Sequence, residues 1–159
     1  MPAVEKLALP NGAAVFDPTL IDAETAGRVL MASFADVGQP LPGAAGRTGV
    51  RLIADRERRW VRRHNVRGGW FGRLVRDSYL WLGENRTRTF REFALLAWMH
   101  RQGLPVPAPV AAGYRRSGGG GYRCDLITTY LEDTMTLGAR LARGPLPDEA
   151  WQALGDCIR

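Results

Sequence analysis

A chain of 159 residues with 45% apolar and 24% charged side chains is long enough to bury a core and too apolar to be disordered. Its net charge of +6 is carried almost wholly by arginine, with Lys6 the only lysine, a chemistry that suits an anionic partner such as nucleotide, nucleic acid or acidic lipid. Two distant cysteines, Cys124 and Cys157, argue against a disulfide framework or a cysteine metal site. No run approaches the roughly 18 to 20 apolar residues of a membrane span. Met1 to Lys6 shows no secretory pattern, so the expected compartment is the cytoplasm.

In chain order, residues 1–16 read as a tail with a short extended piece at Ala13 to Phe16. Asp17-Pro18 has the form of a helix entry, an acidic cap with proline in the first turn, and predicts a helix to about Phe34. Val37 to Gly49 holds two prolines and four glycines and must be rich in turns. Val50 to Asp55 and Arg58 to Asn65 follow as two strands, joined into a hairpin by the polar turn Asp55-Arg56-Glu57-Arg58. Arg67 to Gly83 is a long connection. An amphipathic helix, Thr87 to Gln102, has Phe90, Phe93, Ala94 and Ala97 as its apolar stripe and stops at Gly103 before the proline-rich Leu104 to Pro109. Two more strands, Val110 to Arg116 and Tyr122 to Leu131, flank the flexible Ser117 to Gly121. A short helix over Thr136 to Arg143 and a last one from about Asp148 complete the chain.

This order predicts an α+β fold, an antiparallel sheet of about five strands packed on one helix. Residues 1–40 form an extension with a helix, 41–133 the sheet-bearing lobe, and 134–159 the helices after it. Leu52, Val61, Phe93, Leu96 and Leu126 are expected to share one core between sheet and helix.

Three features carry chemistry. Gly43, Gly46 and Gly49 recur at every third position directly before a strand, and such glycines let backbone N–H groups approach phosphate oxygens. Arg63 falls on the same strand face as Val61, with Arg62 and His64 on the other, and Glu92 follows 29 residues later at the edge of the helix stripe. Glycine-spaced hairpin, strand cation and helix glutamate, in that order, make up the small lobe of a protein kinase. There the cation grips the α/β-phosphates of ATP and the glutamate holds the cation. Glu92 also fits two plainer roles, a capping box with Thr89 and a helix-surface pair with Arg88. His64 and His100 lack metal-ligand spacing. Tyr122-Arg123-Cys124-Asp125-Leu126 compares with a kinase catalytic loop. However, tyrosine replaces its histidine, Tyr130 stands in the asparagine's place and the segment reads as a strand, so Asp125 is expected to be non-catalytic.

From Gly43 onward the chain resembles the small lobe of the 3-deoxy-D-manno-octulosonic acid (Kdo) kinases. These form part of the lipopolysaccharide core kinase group of the protein-kinase-like superfamily. The likeness rests on Trp60-Val61-Arg62-Arg63-His64, Arg67-Gly68-Gly69, Asp77 to Gly83, Thr87 to Phe93 and Gly103 to Ala112. It implies that Gly43, Gly46 and Arg47 cover the phosphates, that Arg63 and Glu92 are the phosphate-gripping pair, and that Thr129-Tyr130-Leu131 bonds the adenine edge. It further implies ATP and Mg²⁺ as cofactors. The acceptor would be a Kdo-containing lipid A precursor at the cytoplasmic face of the bacterial inner membrane, where the protein would sit peripherally. Arg67, Trp70, Phe71, Arg73 and Arg76, a mixture of aromatics and arginines, are candidates for contact with the anionic membrane or substrate.

Two departures stand out. Thr129 occupies a position where the family commonly has glutamate. Trp151 to Arg159 resembles the helix before the catalytic loop, yet the 159 residues contain no His-x-Asp-Leu-Asn stretch and no metal-binding aspartate motif. The expectation is a fragment without the catalytic lobe, inactive alone. The alternatives are a truncated pseudokinase or a non-catalytic basic module for nucleic acid or anionic membrane. No nucleic-acid motif organises the arginines between Arg56 and Arg76, so nucleic acid ranks behind ATP as a partner.

Overall fold

The computed structural model describes residues 4–41, 49–65 and 79–158. It is α+β, with a single antiparallel sheet of eight strands among the described residues and a helix on each face. The strands are β1 (Glu5–Leu9), β2 (Gly12–Phe16), β3 (Gln39–Pro40), β4 (Val50–Asp55), β5 (Arg58–His64), β6 (Tyr79–Leu80), β7 (Pro109–Ser117) and β8 (Gly121–Thr129). Their spatial order is β1-β2-β7-β8-β5-β4-β3, with β6 paired to β8 beyond the end of β5. The helices are α1 (Ala23–Met31), α2 (Arg88–Arg101), α3 (Leu137–Leu141) and α4 (Asp148–Ile158).

Residues 5–16 are expected as a tail with an extended piece at Ala13 to Phe16; that piece is β2, and with β1 it forms a hairpin whose second strand pairs with β7 from Gly12↔Arg115 to Phe16↔Ala111. Alanine and glycine, which have little strand propensity, make up most of β2. The glycine is required, because a Cβ at Gly12 would run into the Tyr114 carbonyl of the neighbouring strand. The expected helix from Asp17 to Phe34 is also shorter. Asp17 accepts from Thr19 N–H (2.9 Å) in a local turn, and Asp22 is the true N-cap, accepting from Thr25 N–H at 2.8 Å. That backbone bond holds the Asp22 carboxyl below its usual range.

Strand alternation feeds two cores. Ala14, Phe16, Trp60 and Ile127 turn to α1 and pack with Ile21, Val29 and Leu30. Ala112 and Leu126 turn to α2 and pack with Phe93, flanked by the partly buried Phe90 and Leu96. Phe93, Leu96 and Leu126 thus meet as expected, whereas Leu52 is buried outside that cluster and Val61 is only half-buried. The larger core, under α1, was not anticipated. Ala94 is exposed, and the buried residues of α2 are Thr89 and Phe93. Burying a side chain the size of Phe93 contributes about 1.5–3 kcal/mol, enough to fix the rotation of α2 and so the direction of Glu92.

Candidate nucleotide-binding site

The β4–β5 hairpin forms where predicted, with Asp55↔Arg58 closing a two-residue turn and Arg56 in the left-handed region at φ 54°. The pleat then sends Arg63 toward α2, where its guanidinium pairs directly with Glu92. Both plainer readings of Glu92 fail. The N-cap of α2 is Thr87, Thr89 lies inside the helix and donates to the Gly113 carbonyl at 3.5 Å, and Arg88 reaches the Tyr79 hydroxyl at 3.3 Å. The Arg63 and Glu92 side chains are 43% and 28% exposed, a setting in which an ion pair is worth only about 0–1 kcal/mol. The pair orients a cation at the surface rather than holding the fold together. Arg63 Nε is screened from solvent and has no partner among the described residues.

Gly43, Gly46 and Arg47 lie outside the described residues. Their flanks are defined: on one side β3 pairs with β4 through Gln39↔Leu52 and Pro40↔Arg51. Gly38, at φ 70°, leads into β3, where a Cβ would strike the Leu52 carbonyl. At the far end the Gly49 carbonyl accepts from His64 N–H at 2.8 Å, and Val50 pairs with Arg63. The glycine-rich loop therefore returns to the sheet beside the strand cation.

The expected adenine-edge segment is constrained differently at each residue. Thr129 is turned to the proline-rich loop: its N–H donates to the Ala108 carbonyl (2.9 Å) and its hydroxyl accepts from Ala108 N–H (3.0 Å). Tyr130 N–H donates to the Arg59 carbonyl at 3.0 Å. The Leu131 carbonyl accepts from the Thr134 hydroxyl, while among the described residues no hydrogen bond uses the Leu131 N–H. Leu131, 45% exposed, is thus the residue of the three with a backbone donor to offer. Sequence reasoning missed Arg59, which pins this segment by its carbonyl, by an ion pair with Glu132 (3.0 Å) and by lying 5.9 Å from the Tyr130 ring.

The opposite face of β5 also went unforeseen. Arg62 is fully buried. It donates to the Val29 carbonyl (2.7 Å) and the Ala32 carbonyl (3.2 Å) at the end of α1 and pairs with Asp125 at 3.1 Å. The other Asp125 oxygen meets His64 Nδ1 at 2.8 Å. Phe34 covers both side chains, 5.3 Å from the Arg62 guanidinium and 5.4 Å from the His64 ring. Burial raises the Asp125 carboxyl, but the His64 hydrogen bond and the Arg62 charge outweigh it and hold the group below its usual range. Asp125 lies on a strand, as expected, with both oxygens engaged.

Mg²⁺ finds no ligand set here: among the described residues no group of three His, Cys, Asp or Glu side chains could hold a metal. No described helix is long and apolar enough to cross a membrane. The membrane candidates Arg67, Trp70, Phe71, Arg73 and Arg76 lie outside the described residues.

Comparison with known proteins converges on one group. The family described as "Lipopolysaccharide kinase (Kdo/WaaP) family" matches residues 33–159. The chain is 43% identical over 97 residues to the 3-deoxy-D-manno-octulosonic acid kinase of Actinobacillus succinogenes, covering 61% of this chain and 40% of that protein. It is 32% identical over 156 residues to the protein of the same name from Photobacterium profundum, covering 98% and 66%. With that of Xanthomonas oryzae it shares 38% over 149 residues, covering 92% and 58%. The matched stretches span between 40% and 66% of these relatives' lengths. No solved structure matches the chain.

Proposed function

The chain belongs to the lipopolysaccharide kinase (Kdo/WaaP) family, and from that premise we propose that it supplies the nucleotide-gripping lobe of an ATP-dependent phosphotransferase. The acceptor in this reading is a Kdo sugar of a lipid A precursor, presented at the inner face of the bacterial inner membrane. The observation that carries the proposal is the Arg63–Glu92 pair, formed across β5 and α2 beside the return of the glycine-rich loop.

In the proposed mechanism Gly43, Gly46 and Arg47 cover the ATP phosphates and Arg63 grips the α/β-phosphates. Glu92 keeps the guanidinium aimed at them, and Leu131 N–H bonds the adenine edge. Phosphoryl transfer needs positioning and charge stabilisation more than covalent help from the protein, and a strand arginine supplies both at the phosphates. Thr129 acts indirectly, by tying the adenine-edge segment to Ala108. Bound Mg²⁺ would neutralise charge on the phosphates. None of these residues is assigned to hold it or to act as catalytic base, so the 159-residue polypeptide by itself is expected to bind ATP weakly and transfer no phosphate.

A chimera tests the assignment. This chain replaces the matched stretch of the Xanthomonas oryzae relative, and γ-labelled ATP is offered with a Kdo-bearing lipid acceptor. Label should reach the lipid, and Arg63→Met should abolish transfer while leaving the chimera folded. A folded chimera with no transfer, or one indifferent to Arg63→Met, would overturn the reading. The membrane role of Trp70 and Phe71 is read separately, from whether Trp70→Ser and Phe71→Ser weaken sedimentation with anionic vesicles.

A further inference from the structure

The hairpin end of the sheet, on the face opposite Glu92, carries a cationic cluster that the nucleotide site does not use. Arg115 and Arg123 are directly opposite one another across the β7–β8 ladder. Like charges so placed repel and destabilise the pair unless an anion lies between them. Among the described residues none is provided: no ion pair includes Arg115, Arg116 or Arg123. Asp125, two residues along β8 from Arg123, has both oxygens taken by Arg62 and His64. Glu84 is bonded by Lys6 at 2.5 Å and the Tyr114 hydroxyl at 2.9 Å.

Two of the three arginines are tethered. Arg115 donates to the Met31 carbonyl at 3.2 Å, which fixes its stem against the end of α1 and leaves its other N–H groups uncommitted. Arg116 lies 5.3 Å from the centre of the Trp81 ring, and its N–H to the Asn11 carbonyl (2.8 Å) locks the tips of two hairpins together. The Arg123 side chain is exposed and makes no hydrogen bond or ion pair to another described residue. Between them lies an open cavity of about 330 Å³ whose walls include Asn11 and contain no carboxylate.

We propose that this corner is a second anion site, one that binds a phosphate monoester. A monoester carries close to two negative charges and three terminal oxygens, which matches the facing guanidiniums of Arg115 and Arg123 better than a carboxylate or a singly charged diester does. The cavity admits a phosphate with a small attached group. The phosphate could be borne by a lipid headgroup or by a soluble ester. The site stands apart from the nucleotide-binding reading, since Arg115 and Arg123 face the α1 side of the sheet while Arg63 faces α2.

The test uses the whole chain with Arg63→Gln, so that phosphate binding at the nucleotide site does not contribute. One arm titrates glucose 6-phosphate and follows the arginine Nε–H resonances by NMR. The other sediments the protein with phosphatidylcholine vesicles containing phosphatidic acid, a monoester, or phosphatidylglycerol, a diester. Binding in either arm, weakened about tenfold by Arg123→Gln, supports the site. A response to the soluble ester identifies a soluble ligand, and a response confined to phosphatidic acid vesicles identifies a lipid. No binding in either arm, equal sedimentation with both anionic vesicles, or indifference to Arg123→Gln overturns it. Arg123 is exposed, so its replacement leaves the fold intact, and circular dichroism of the variant checks this.

Discussion

Arg62 and Arg63 are chemically identical, adjacent on β5, and put to opposite uses. Arg62 turns under α1, where it is fully buried and bonded to two helix carbonyls and Asp125. Arg63 turns toward α2 and stays 43% exposed, with one carboxylate for company. Removing a charge from water costs several kcal/mol, and the bonds from both terminal nitrogens of Arg62 offset it, so the buried arginine is structural. The exposed one contributes little to folding, which leaves it available for the phosphate role proposed for it. A strand's two-residue period thus separates a buried, structural cation from a solvent-accessible one within a single peptide unit.

The comparison breaks most sharply at Asp125. Asp125→Ala strands the Arg62 charge inside the protein and should cost about 3–5 kcal/mol, read as a lower urea midpoint. Replacing both partners, Arg62→Leu with Asp125→Leu, should recover much of that loss, because the stranded charge then disappears. A double variant no better than Asp125→Ala would show that the cost comes from packing alone.

Acid sharpens the same contrast. The Asp125 carboxyl titrates lower in the folded chain than the roughly 3.9 of an unfolded aspartate. A group depressed in this way contributes stability that is complete above about pH 5 and is lost as pH falls through about 4 toward its folded value. Urea midpoints of the native chain should decline over that acid range, and Asp125→Asn should flatten the decline. Parallel acid limbs for the two proteins would remove Asp125 from the account.

How much of this was legible depended on sequence distance. The β4–β5 hairpin and the α2 helix are local patterns, and both formed within a residue or two of their predicted limits. The Arg63–Glu92 pair followed from residue order together with strand alternation. Arg62, by contrast, gave no sign of its role, because its partner Asp125 lies 63 residues away and the end of α1 about 30. No periodicity in β5 reveals a helix packed over that face. The β1–β2 hairpin was hidden by its alanines and glycines, which favour strands only when a neighbouring strand such as β7 is already in place. The arginines at 115 and 123 became a cluster only through cross-strand register.

The smallest effect on stability should come from the pair proposed to serve nucleotide binding. Glu92→Gln keeps the shape of the side chain and removes its charge, so Arg63 loses its orienting partner while the sheet and Phe93 stay packed. An exposed ion pair is worth about 0–1 kcal/mol, and the urea midpoint should therefore barely move. Arg63→Met should behave alike, since the apolar stem survives and only the guanidinium is lost. ATP binding is expected to respond differently. Losing charge-assisted bonds to phosphate costs about 1.5–3 kcal/mol, or about tenfold or more in affinity, for Arg63→Met. Glu92→Gln, which leaves the cation present but unaimed, should lie between that variant and the native chain. The measurement is a fluorescent ATP-analogue titration run beside urea unfolding on the same preparations. If Arg63→Met destabilises the chain as strongly as Asp125→Ala, the two faces of β5 are not divided as described. If it leaves analogue binding untouched, Arg63 does not hold phosphate.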